Sequence, residues 1–182
     1  MKLNRKWLNE EFVDLSNVSD KEFVETLTVF GQKVETWERL DEEIKNVVVG
    51  KVLSMVRHPN SDHMWICQVD VGGDAPVQIV TGAQNVHEGD LVPAALHNSW
   101  LPGGVHITKG KLRGEVSNGM LCSFAELGLT QNDLPGVFAD GIWILNDEDC
   151  TIGEDINLVI GNDDTVVDFE ITNNRPDCYS II

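Results

Sequence analysis

From Asp41 to Thr151 the chain is cut into short β-branched runs separated by turn residues, and this punctuation limits the folds open to it. Val47, Val48, Val49 and Val52 form the first run. Trp65–Val71 and Val77–Val80 flank Gly72-Gly73-Asp74-Ala75-Pro76, a strong hairpin pattern. Val86–Ala95 is a further strand region broken by Gly89-Asp90, Leu101-Pro102-Gly103-Gly104 is a turn, and Ile142 and Ile144 mark one more strand. Ser123–Leu127, closed by Gly128, reads as one short helix. There is no internal repeat.

Short strands at this spacing predict a sandwich or small barrel. With one helix among the strands, they fit a five-stranded oligonucleotide/oligosaccharide-binding (OB) barrel. The flanks differ. Leu3, Trp7, Leu8 and Phe12 recur at near-helical spacing. Ser19 with Glu22 makes a capping box for a second helix, whose apolar face is Phe23, Val24, Leu27 and Phe30, with Gly31 at its C-terminal cap. Lys33–Leu40 reads as extended. Val167, Phe169 and Ile171 alternate with polar residues, as in a half-buried strand, and the stretch near Val34–Trp37 is its expected neighbour. The expected class is therefore α+β: an OB barrel over 41–151, inserted into a small discontinuous α/β domain made from 1–40 and 152–182.

Composition excludes several roles. The 182 residues are 42% apolar and 24% charged, ordinary values for a globular chain, and no long uncharged apolar run suggests a membrane span. The basic start meets Glu10 and Glu11 at once, unlike a secretory signal. Cys67, Cys122, Cys150 and Cys178 show no C-x-x-C spacing, so reduced thiols in a cytoplasmic setting are expected. The net charge of −17 opposes long-range steering of a polyanion, so any nucleic-acid contact has to be local. Within Asp41–Thr151, six Lys and Arg face fifteen Asp and Glu.

One basic cluster stands out. If extended, Thr108–Arg113 projects Lys109, Lys111 and Arg113 from one face, and the following glycines and Asn118 are turn formers. Such a stripe suits a phosphate backbone, and equally a hairpin rim that keeps an edge strand soluble. His58, Asp62 and His63 are zinc-type ligands, but Pro59 and Asn60 point to a surface turn without metal. No G-x-S-x-G elbow, Walker loop or Rossmann loop is present, and Asp147-Glu148-Asp149 reads as a solvated turn. No residue is expected to be catalytic.

Several strings, in order, resemble the start of the β subunit of bacterial phenylalanyl-tRNA synthetase. They are Trp7-Leu8, Val49-Gly50-Lys51-Val52, His58-Pro59-Asn60-Ser61-Asp62, Val69-Asp70-Val71-Gly72, Ile79–Val86, Leu101–Gly104, Lys111–Gly114, Ser117–Ser123 and Ile171–Cys178. Arg175 precedes a proline and Asp177 is placed to cap a helix, so the last string is expected to run on into a longer protein. The middle portion is also similar to a wider tRNA-binding OB module. His63 stands where many members have lysine, Thr81 where cysteine is common, and Gln84 where proline is common.

The resemblance implies a noncatalytic tRNA-binding module of a parent that joins phenylalanine to its tRNA with ATP and magnesium, and no cofactor in this segment. It implies tRNA, the remainder of the β subunit and an α subunit in a two-α, two-β assembly as partners, with no membrane. With the stripe, it marks Lys109, Lys111, Arg113, Asn118, His58, Asn60 and Asn85 as candidate tRNA contacts. A structural module that packs within the synthetase without touching RNA is the alternative.

Overall fold

The computed structural model describes residues 1–130, 140–146 and 148–173. In chain order its elements are β1 (Lys2–Asn4), α1 (Arg5–Glu11), α2 (Asp20–Phe30), β2 (Val34–Arg39), β3 (Lys45–Arg57), β4 (Trp65–Asp70), β5 (Val77–Thr81), β6 (Leu91–Leu101), β7 (Val105–Ile107), β8 (Gly110–Leu112), β9 (Glu115–Ser117), β10 (Gly119–Leu121), α3 (Ile156–Ile160) and β11 (Thr165–Phe169). Asp147, the last part of the Ile171–Cys178 string (from Asn174) and Cys178 lie outside the described residues.

These residues divide into two compact units. One comprises Met1–Asp41 with the segment from Gly161. The other is Glu42–Ile160, which by chain order is inserted into the first.

In the terminal unit, antiparallel strands run in the order β1-β11-β2. Phe169 pairs with Val34 and Val167 with Trp37, and β1 pairs along the other edge of β11. Leu3, Leu15, Phe23, Val167 and Phe169 form the core of this unit. The Ser19 hydroxyl accepts from the Glu22 amide at 3.3 Å and caps α2. Two expectations fail here. Leu3 lies on a strand, because β11 supplies a backbone partner that helical periodicity cannot register. Phe30 is 86% exposed, since only the Phe23 side of α2 meets the core.

The inserted unit is the nearly closed barrel, with order β10-β6-β3-β4-β5. β3 pairs with β6 on one edge and β4 on the other. Its valines contribute to two apolar clusters, Val47 and Val49 to one and Val52 to the other. That explains the near-continuous β-branched run, because strands covered on both faces lose simple alternation. The last gap closes through loop contacts. The Asn118 amide donates to the Gln78 carbonyl at 2.9 Å, and the Val80 amide to the Ser117 hydroxyl at 3.0 Å.

The barrel unit extends past the expected end at Thr151. Asp155 bridges to Val48, and Ile156 at the start of α3 is fully buried in the barrel-side cluster. The expected Ile142–Ile144 strand is reduced to isolated bridges, Ser123 with Ile142 and Leu91 with Leu145. The short helix is a single 3-10 turn, Ala125–Leu127. It follows the last barrel strand, and Gly128 closes it in the left-handed region (φ 75°).

Barrel closure tolerates no side chain at position 119. A Cβ on Gly119 would stand 2.3 Å from the Ala95 carbonyl oxygen, a backbone atom that cannot swing aside. Gly119→Ala is expected to destabilise the barrel by about 2–4 kcal/mol, seen as a lower urea midpoint.

Candidate nucleic-acid interface

Two connections of the barrel meet. One is the β3–β4 loop, residues 58–64. The other, between β6 and β10, contains the β8–β9 hairpin. Small OB barrels use the equivalent loops and the adjoining strands to bind oligonucleotides.

The hairpin is tied by a two-residue turn, Arg113-Gly114, with φ of 51° and 100°. Positive φ at both positions is the geometry that twists in register with a β-ribbon, and it normally selects Asn-Gly. Arginine at the first position costs about 1 kcal/mol of left-handed strain. The strand is short, so the expected stripe is only partly realised. Lys111 lies within β8, Lys109 precedes it, and Arg113 is the turn itself. All three are exposed. The Lys109 amide donates to His97 Nδ1 at 3.1 Å and roots the hairpin.

His58 fastens the tip of the hairpin to the β3–β4 loop. It is only 3% exposed. Its Nδ1 accepts the Asn60 amide at 3.0 Å, so the proton sits on Nε2, which donates to the Leu112 carbonyl at 3.0 Å. Longer contacts of 3.4 Å run from Asn60 Nδ2 to the Arg113 carbonyl and from Arg113 Nη1 to the Asn60 carbonyl. With both ring nitrogens engaged, His58 has no lone pair left for a metal. The fold thus gathers His58, Asn60, Lys111 and Arg113.

Asn85 and Asn118 also take part in hydrogen bonds within the barrel unit. The Asn85 amide donates to the Ile142 carbonyl at 2.8 Å and accepts from the Ile142 amide at 3.1 Å, while Asn118 helps close the barrel.

Sequence reasoning missed Arg57, the last residue of β3. Its guanidinium lies 4.5 Å from the Trp65 ring centroid and donates to the Asp62 carbonyl at 2.6 Å. Its place opposite Trp65 emerges only from the register of the ladder, which no sequence pattern supplies.

The two units treat their cations differently. In the terminal unit all six described Lys and Arg (Lys2, Arg5, Lys6, Lys21, Lys33 and Arg39) pair with a carboxylate at 2.5–3.9 Å. In the barrel unit none of Lys45, Lys51, Arg57, Lys109, Lys111 and Arg113 has a carboxylate partner within 4.0 Å among the described residues. The only described barrel pair is His87 with Asp90. Acid is not scarce in that unit, which carries sixteen Asp and Glu against six Lys and Arg.

A family model described as "Putative tRNA binding domain" matches residues 47–140. The chain belongs to this tRNA-binding domain family. The match spans the barrel and both connections of the candidate interface. The chain is also homologous to the N-terminal part of phenylalanine–tRNA ligase β subunits. That of Clostridium acetobutylicum is 52% identical over 182 residues, which is 100% of this chain and 22% of that protein. That of Clostridium tetani is 46% identical over the same spans. The chain therefore covers 22% of the length of these curated relatives. Among solved structures, the C-terminal domain of Plasmodium vivax p43 aligns with a TM-score of 0.43 at 20% identity, covering 62% of this chain and 59% of that one.

The thiols lie apart from this chemistry. Burial pushes Cys67 up to about 11 and Cys122 up to about 12, with the Glu126 charge adding to the latter. Both stay protonated and unreactive at neutral pH. Iodoacetamide under native conditions is expected to alkylate Cys150 well before Cys67 or Cys122, as read by peptide mass spectrometry. A second expectation concerns the fastener. His58→Ala leaves the Leu112 carbonyl and Asn60 amide without partners, at a cost of about 2 kcal/mol. Faster hydrogen exchange at Asn60 and in the hairpin is the readout.

Proposed function

We propose that the barrel binds tRNA through the β8–β9 hairpin and the β3–β4 loop, with Lys109, Lys111 and Arg113 meeting phosphates and His58 and Asn60 setting the hairpin's position. The observation that carries this reading is the set of barrel cations with no carboxylate partner among the described residues. Exposed ion pairs add little stability, so pairing elsewhere in the chain and none here is a matter of placement more than of fold energy. A cation without an internal partner keeps its charge for an external anion.

Family membership supplies the ligand class, and the names of the relatives supply the setting. We take the whole protein to be a phenylalanine–tRNA ligase β subunit, working in the cytoplasm with an α subunit and using ATP and magnesium for charging. In that setting this segment is noncatalytic and helps hold tRNA. No helix among the described residues is long and apolar enough to cross a membrane.

The acidity of the barrel supports a second reading, a module that packs against other protein and never meets RNA. A filter-binding titration with tRNA across salt separates the two. Three phosphate contacts give a slope of log affinity against log salt of roughly −2 to −3. Replacing Lys109, Lys111 and Arg113 together by Ala is expected to remove most of that slope without unfolding the protein. Equal binding by the triple variant overturns the tRNA reading of the hairpin. A single change adds a sharper expectation. Arg113→Asn relieves the strained turn and raises stability by about 0.5–1 kcal/mol in thermal melts, yet weakens tRNA binding.

A further inference from the structure

We propose that Arg57, held over Trp65 at the end of the β3–β4 ladder, is a platform for one unpaired nucleobase of the bound RNA. The inference rests on the tRNA reading above and specifies what this face recognises: an unstacked nucleotide, not a duplex.

The platform is built before any ligand arrives. Arg57 and Trp65 are directly paired at the end of the β3–β4 ladder. The guanidinium carbon Cζ lies over the indole at 4.5 Å from its centroid, and Nη1 donates to the Asp62 carbonyl at 2.6 Å. The indole is held in turn. Trp65 Nε1 donates to Gln84 Oε1 at 3.3 Å, while Gln84 Nε2 donates to the carbonyls of His63 at 3.0 Å and Gly82 at 2.9 Å. Trp65 also packs on the barrel core, so the lower layer of the stack is fixed. Such preorganisation lowers the ordering cost of binding.

Arg57 is an exposed residue, and among the described residues it meets no second aromatic ring and no carboxylate. Its partners are a carbonyl and a π face, which orient the guanidinium without neutralising it. A planar cation so held offers what an extruded base seeks, a flat surface on which to stack. A base inside an A-form helix has both faces covered and gains nothing from it. Position supports the assignment. Arg57 precedes His58, whose ring fastens the cationic hairpin at Leu112, so base platform and phosphate contacts meet at one loop junction.

The test uses the full chain, Arg57→Lys and Arg57→Ala, and three labelled RNA probes followed by fluorescence anisotropy. The probes are a short single-stranded oligouridylate, its fully abasic counterpart and a short A-form duplex. Arg57→Lys keeps the charge and removes the plane. It is expected to lose about tenfold in affinity for the single strand, with an unchanged salt slope, and to bind the abasic strand and the duplex as the parent does. Arg57→Ala is expected to lose affinity for all three, because the charge is gone as well. Parent-like binding of the single strand by Arg57→Lys overturns the platform, and so does an equal loss on all three probes by that variant. Failure of the parent chain to bind any of the probes or tRNA overturns the tRNA reading itself.

Discussion

β3 carries backbone ladders along both edges, to β4 and β6, and buries Val47, Val49 and Val52 completely. Each fully buried valine is worth about 1.5–3 kcal/mol, so this strand anchors both apolar clusters of the barrel. Its direction also sets the functional geometry. Where β3 leaves the barrel, Arg57 turns onto Trp65, and the next residue reaches across to the hairpin. The imidazole of His58 makes that crossing with a donor on one nitrogen and an acceptor on the other, an arrangement only the neutral Nε2–H ring supplies.

The charge distribution reconciles an acidic chain with a polyanionic ligand. Screening confines surface fields to about 8 Å at physiological ionic strength, so a small group of uncompensated cations can dominate its own neighbourhood. The terminal unit spends its described Lys and Arg on internal carboxylates. The barrel leaves its own free of described carboxylate partners. Such a surface holds RNA that something else has delivered and adds little to long-range capture. That division of labour suits one segment of a much longer protein.

Much of the fold was legible because it rests on local chemistry. The Ser19 cap, the Gly72–Pro76 turn and the alternation in β11 each follow from residues near one another in the chain. The pairing of β11 with β2 was readable because the Val34–Trp37 stretch also reads as extended. Non-local effects hid the rest. Leu3 obeys a helical period but is taken by β11. Ile156 joins the barrel through a bridge at Asp155 that no local pattern announces. At the site, the basic cluster was visible as composition while its geometry was not. Arginine in a left-handed turn position breaks the residue preference by which such turns are recognised. Arg57 looked like any strand-end arginine until its cross-strand partner was known to be Trp65. His58 and Asn60 were marked as contacts, but the hydrogen bonds that tie them to the hairpin were not visible in the sequence.

We propose that the barrel meets tRNA with the rim where the β3–β4 loop and the β8–β9 hairpin join. Amide chemical-shift mapping of the full chain during a tRNA titration at low salt addresses this directly. Perturbations are expected to concentrate in residues 57–65 and 109–117 and to fade as salt is raised, with the terminal sheet unmoved. Shifts centred on β1, β2 and β11, or none at tRNA concentrations that bind in parallel assays, would contradict it.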